Sequence, residues 1–172
     1  VHFPTDTTLL YDAVRKAIET SAGLCAEVGL SDWRQSAYNV RCLKQAYRRV
    51  QQLKRSKSKD EAKRAEREAA IEQGHREYLD LAESFLARAR DTRATLKLIH
   101  RVPELLLAPL DDYIAHGERQ IDQIDRRVLQ GERIPHGEKV FSIFQPHTEW
   151  ITKGKAGVVV ELGLRAAVSE DQ

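Results

Sequence analysis

No methionine occurs anywhere in the 172 residues, so the usual initiator is missing. Either it has been removed or the chain starts inside a longer reading frame. The opening VHFP, an extended stretch with no partner strand near it, favours the second. Cysteine is scarce too. Cys25 and Cys42 are the only two, and no basic stretch followed by an apolar one marks a secretory leader. Both thiols are therefore expected to stay reduced. No run of about 18 apolar residues is present, which argues against a transmembrane helix. Aromatics make up only 6% of the residues, against 31% charged and 41% hydrophobic. That balance excludes a disordered chain and fits a helix-rich one long enough for a real core.

Motifs for covalent chemistry are lacking as well. There is no Gly-x-Ser-x-Gly, no phosphate loop, no glycine-rich dinucleotide turn and no Cys-x-x-Cys. The fragment GKAG at 154–157 is too weak to mark a phosphate site. His136 stands near Glu138 and His147 near Glu149, and PHTE can place a His and a Glu on one face of a strand. Zinc needs three or four ligands, and no Cys or further His lies at ligand spacing, so no metal site is read here. His2, His75, His100 and His116 are scattered and read as surface or packing residues. The neighbouring acids Asp111 and Asp112, or Glu170 and Asp171, are common by chance among 26 acids.

What the chain does have is helical periodicity. Leu9, Leu10, Ala13, Val14 and Ala17 fall at helical spacing in a first helix over 5–18, with Thr5 or Asp6 as cap. Gly23 and Gly29 are the expected break points. Ser31 or Asp32 caps a second helix, whose stripe runs Trp33, Ala37, Val40, Tyr47, Val50, Leu53, with Lys44 the polar residue in the row. Residues 54–64 are either an exposed turn or a solvated stretch of helix. The pattern returns from Asp60 to Ile99, where Ile71, Tyr78, Ala82, Phe85, Ala89, Leu96 and Ile99 mark the buried face, and Gly74 is a weak spot inside it. Pro103 resets the chain before a near-heptad seam of Leu106, Leu110, Tyr113, Ile121, Ile124 and Val128. Three long helices joined by short turns must pack against each other to hide these stripes, and an antiparallel hairpin or bundle with coiled-coil-like contacts is the economical solution. After QGERIPHGEK, strands are expected over 140–144 and 158–168, with TKGKAG as the loop between them.

Charge is the clearest chemical feature. Residues 41–67 hold eleven Lys and Arg against three acids, a surplus of eight, and residues 41–59 contain no acid at all. A solvated helix face usually mixes its signs. Uncompensated positive charge repels itself unless a polyanion neutralises it, and nucleic-acid phosphate is the commonest such partner. No aromatic follows Tyr47 in the stretch, so backbone contact rather than base stacking is implied. The expected DNA contacts are Arg41, Lys44, Arg48, Arg49, Lys54, Arg55, Lys57 and Lys59, with Lys153 and Lys155 in the sheet loop.

VHFPTDTTLLYDAVRKAI (1–18) and IPHGEKVFSIFQPHTEWITKGKAGVVVELGLR (134–165) resemble bacterial insertion-sequence transposases of the DDE class. The second segment is the more specific, and the likeness, weakest in the charged middle, covers essentially the whole chain. The family pattern has Glu where Gln145 stands and Pro where Val159 stands, departures that fit a drifting, inactive copy. The resemblance implies a mostly α chain: long antiparallel helices forming a helical insertion, flanked by short β-strands of an incomplete RNase H-like α/β fold. Residues 1–4 would be one strand of the catalytic sheet, 5–133 the insertion and 134–172 further strands. In such enzymes three carboxylates hold two Mg²⁺ ions for in-line attack on phosphodiesters. The first carboxylate is expected upstream of Val1 and the others beyond Gln172. This chain would then carry no catalytic residue and no cofactor of its own, and Asp6, Glu161 and Asp171 match none of the family's catalytic positions. A cytoplasmic, nucleoid-associated bacterial protein with DNA as partner follows from the resemblance.

A rival of another class stands beside it. The seams 33–53 and 106–128 also suit a self-contained helical interaction module that binds a partner helix or forms a homo-oligomer.

Overall fold

The computed structural model describes residues 5–55, 60–144, 149–155 and 158–163. Within them four α-helices carry most of the chain: α1 (Asp6–Glu27), α2 (Ser36–Arg55), α3 (Glu61–Leu98) and α4 (Glu104–Ile124). A π-helical turn, Asp125–Leu129, extends α4, and a 3-10 turn, His136–Glu138, follows it. Two strands come next, β1 (Glu149–Lys155) and β2 (Val158–Gly163). No described helix is long and apolar enough to cross a membrane.

Local chemistry sets the helix ends. Thr5 is extended, and its hydroxyl accepts the Thr8 N–H. Asp6 adds a carboxylate to the positive first turn of α1. The helix runs through Gly23, expected as a break, and stops at Gly29, which takes φ +74°. There Leu30 N–H donates to the Cys25 carbonyl at 2.8 Å and Gly29 N–H to that of Ala26 at 3.1 Å. This double return needs a left-handed residue, which glycine supplies without strain. Asp60 caps α3 by accepting the Ala62 N–H at 3.1 Å. Arg67 closes the far end of α2, donating to the carbonyls of Leu53 and Lys54 at 3.2 and 2.9 Å.

Successive helices run in opposite directions. Gln51 donates to Thr7 Oγ1 at 3.2 Å, and Tyr47 stacks on Tyr11, so α1 and α2 are antiparallel. Leu53 lies over Gly74 while Trp33, just before α2, meets Phe85 and Thr92, so α2 and α3 are antiparallel. Leu86 lies over Gly117 and Arg93 binds Asp111, which fixes α3 against α4 in the same sense. α1 packs on all three other helices, and α2 and α4 flank the α1–α3 pair. The core gathers Leu10, Val14, Ile18, Leu43, Tyr78, Leu86, Leu107 and Ile124 along their shared faces. The expectation of long antiparallel helices describes this bundle.

Helical phase departs from expectation in three places, one of them Ile99 at the end of α3, expected on the buried face but 70% exposed. On α2 the buried row passes through Leu43, Tyr47 and Val50, so Lys44 turns outward and Ala37 is exposed. Trp33 does not belong to the helix. It sits in the left-handed region at φ +63°, buried, with Nε1 donating to Thr92 Oγ1 at 2.9 Å and the Arg88 guanidinium 4.1 Å above the ring. On α4, Leu107 takes the inward place assigned to Leu106, and the row continues through Leu110, Ile114 and Gly117. Three consecutive leucines satisfy either phase, and the turn at Pro103 chooses between them.

The extended segments also shift. Residues 140–144, expected as a strand, are irregular, and Ile143 buries itself against Leu9 and Ala13 with Val140 beside it. An alternating apolar run suits any half-buried surface, and α1 provides one without a partner strand. The first strand instead takes in most of the segment expected as a loop. It pairs antiparallel with β2 from Glu149↔Gly163 to Lys155↔Val158, with a register irregularity between Thr152 and Lys155. The expected strand at 1–4 and the end of the one at 158–168 lie outside the described residues.

Candidate nucleic-acid interface

Among the described residues, the basic side chains singled out by charge do not all share one surface. On α2 a residue advances about 100° around the axis, so Arg41, Lys44 and Arg48 fall on one outward face. All three are exposed, and none makes an ion pair with a described residue. They cover about 10 Å of helix, the length over which one DNA strand presents roughly three phosphates. The opposite face of the same helix holds Leu43, Tyr47 and Val50 against α1 and α3, which fixes the rotation that aims the three cations at solvent.

Arg49, one residue on, turns aside and binds Glu77 of α3. Its charge is partly spent in the bundle, though an exposed pair of this kind contributes little stability. Lys54 belongs to the inner row, four residues after Val50. It is half-buried, and burial, with Arg127 adding to it against Asp6, lowers its pKa. Lys54 therefore faces the junction of α1 and the π-helical turn, away from the free face, and the structure separates it from Arg41, Lys44 and Arg48. The side chain of Arg55, and Lys57 and Lys59 entirely, lie outside the described residues. Lys153 and Lys155, expected in a loop, stand on β1, and their side chains also lie outside the described residues.

Several basic residues elsewhere are engaged. Arg126 donates to Glu132 at 2.8 Å, Glu138 at 2.7 Å and Asp122 at 3.2 Å, and these carboxylates raise its pKa further. Arg127 binds Asp6 at 2.8 Å. Arg93 spans Asp111 and Glu104 at 2.9 and 2.6 Å. Arg41, Lys44 and Arg48 have no acid partner among the described residues, as is true of Arg34, Arg101, Arg119, Arg133 and Lys139, and what sets the three apart is their alignment on one helix face.

One basic feature escaped the sequence reading. Arg34 and Arg88 line a hollow of about 310 Å³ with Ser31, Asp32, Trp33 and Gln35, at the start of α2. Its only signal in the sequence was a tryptophan among turn-forming residues, and placing Trp33 on the helical stripe hid it.

Among the described residues the histidines bring no ligand set together. His75 is fully buried, and its Nδ1–H donates to the Ile71 carbonyl at 2.7 Å. Glu138, paired in sequence with His136, is held by Arg126. His147 lies outside the described residues. Among the described residues no three of His, Cys, Asp and Glu gather as a metal site. Cys25 is buried and Cys42 partly so, and both are free thiols. No family model, no curated protein and no solved structure matches the chain.

Proposed function

We propose that this chain is the helical insertion and adjoining strands of a bacterial insertion-sequence transposase of the DDE class, and that the outer face of α2 holds the backbone of DNA. The observation that carries the DNA reading is the row Arg41, Lys44, Arg48: aligned, exposed and without an acid partner among the described residues. Positive charge left unpaired on a rigid helix costs self-repulsion until phosphate neutralises it.

The insertion reading rests on how the helices begin and end. Asp6, at the start of α1, binds Arg127, just past the end of α4. Ile143 then packs on Leu9 and Ala13. The helical segment thus starts and finishes at neighbouring points, as a unit inserted between two strands of a sheet must. The β1–β2 pair fits the same picture. A lone two-stranded hairpin is marginal in water and calls for further strands, such as those of an RNase H-like sheet. Val159, where the family has Pro, falls opposite the register irregularity, where a missing N–H is tolerated.

Mg²⁺ chemistry would belong to the parent enzyme. The described acids do not fit a two-metal site: Asp6, Asp111, Glu104, Glu132 and Glu138 are bound to arginines. We assign no step of strand cleavage or transfer to these residues. The working place of such a protein is the bacterial nucleoid.

Fluorescence titration of a DNA duplex at several salt concentrations tests the reading. Each of Arg41→Ala, Lys44→Ala and Arg48→Ala should flatten the slope of log affinity against log salt by about 0.9 if it removes one phosphate contact. Lys54→Ala should leave the slope unchanged. Wild-type binding that ignores salt, or a triple variant with the wild-type slope, sinks the proposal.

A further inference from the structure

The tip of the α3–α4 hairpin carries the largest aliphatic side chains left in solvent. Leu98 is 77% exposed, Ile99 70%, Leu105 83% and Leu106 50%. This exposure is built in. Leu96 and Leu107, each one or two residues away, are completely buried, and Val102 packs against the same core. The helices cannot turn one set inward without turning the other out. The tip is also held in shape. Arg93 binds Glu104 and Asp111, Lys97 binds Glu104, and Val102 N–H donates to the Leu96 carbonyl at 3.0 Å.

We propose that this tip is a homodimer contact, in which Leu98, Ile99, Leu105 and Leu106 of one copy meet the same residues of a second across a twofold axis. Area supports a second copy as the occupant. The four residues expose roughly 500 Å², so two copies bury up to about 1,000 Å² before any rim is counted, which reaches the lower bound for a biological interface. Charge supports it too. The rim holds Lys97 and Arg101 beside Glu104, a mixed set that a twofold axis can match to itself. Aliphatic side chains offer no stacking surface to the bases of a nucleic acid. Location adds a third argument. The Asp6–Arg127 junction lies at the other end of the bundle, roughly 35 Å away along α3. Segments joined at that junction leave the tip free for another molecule.

The contact is independent of DNA, so the test contains none. Sedimentation velocity of the whole 172-residue chain, over a range of concentrations and at low and high salt, should show a species of twice 19.6 kDa. Association through aliphatic surface should survive high salt. The double variant Leu98→Glu/Leu105→Glu should weaken the dimer by about a hundredfold or more with unchanged circular dichroism, because both sites are solvent-facing. Tyr38→Glu, also exposed but on α2, should leave the dimer intact, as should the α2 variants that test DNA binding. A wild-type chain that stays monomeric at about 100 µM, above the micromolar end of specific association, overturns the proposal. So does a tip variant that still dimerises. A monomeric wild type that floats with neutral phosphatidylcholine vesicles would assign the tip to lipid and overturn it as well.

Discussion

His75 occupies a place where a titratable ring is costly to charge. It is fully buried on α3, and its Nδ1–H is committed to the Ile71 carbonyl. Burial lowers its pKa, and Lys54 and Arg127 push the same way, against the Ile71 bond and Asp6. In the unfolded chain the ring takes a proton near pH 6.5. In the fold it stays neutral to lower pH. Below about pH 6.5 the unfolded state therefore binds more protons, and stability falls as pH falls until the folded ring also titrates. His116, lowered by burial as well, adds a second contribution of the same sign. Urea denaturation between pH 7.5 and 5.5 should show His75→Leu losing less stability than wild type on acidification. The difference should approach, at its steepest, about 1.4 kcal/mol per pH unit. Parallel curves for the two proteins would exclude this account. Sequence alone placed His75 only as a surface or packing residue. Its burial depends on which face of α3 meets α1 and α2, and that is decided by partners distant in the chain.

Helix contacts differ in how much they tolerate, and two glycines make the difference measurable. A Cβ at Gly117 would fall 2.8 Å from Leu86 Cδ1 and 3.0 Å from Cδ2. Leu86 is completely buried and has nowhere to go. Gly117→Ala should therefore cost about 1–3 kcal/mol of overpacking, only partly offset by the roughly 1 kcal/mol gain in helix propensity. A Cβ at Gly74 would meet only the terminal Cδ1 of Leu53, also at 2.8 Å, and Leu53 is partly exposed. That methyl can swing aside, so Gly74→Ala should be neutral or stabilising by up to about 1 kcal/mol. Thermal melts of the two variants check the pair, and equal effects would count against the packing described. The same elements show what a sequence discloses. The helical stretches, the Thr5 cap and the reset at Pro103 were legible because periodicity and capping are local, whereas the turn between α2 and α3 stayed open. The rotation of α2 and of the first turn of α4 was not. Leu43 and Lys44 compete for one position, as do Leu106 and Leu107, and only the packed partners choose. That choice divided the basic residues: it sent Lys44 outward beside Arg41 and Arg48 and turned Lys54 inward.

At the scale of the molecule the helical unit holds more than helices. Residues after the π-helical turn return to it: Ile134 and Ile143 are buried, and Arg126 takes the Glu138 carboxylate at 2.7 Å. Composition gave no sign of this return, because Val140–Ile143 reads equally well as a strand or as a strap over α1. β1 and β2, by contrast, pair with each other among the described residues. The cooperative unit should therefore end after residue 144, not before residue 134. A chain cut after residue 144 should melt within about 2 °C of the full chain, since an isolated two-stranded hairpin adds little stability. A chain cut after residue 133 loses the burial of Ile134 and Ile143, about 1.5–3 kcal/mol for each side chain. That corresponds to a fall of roughly 6–24 °C in the melting temperature at 2–4 °C per kcal/mol. Circular dichroism melts of the three lengths separate the outcomes. A large loss on cutting after 144 would mean that the strands brace the helices directly, and the picture of a self-standing helical unit set into a sheet would fail.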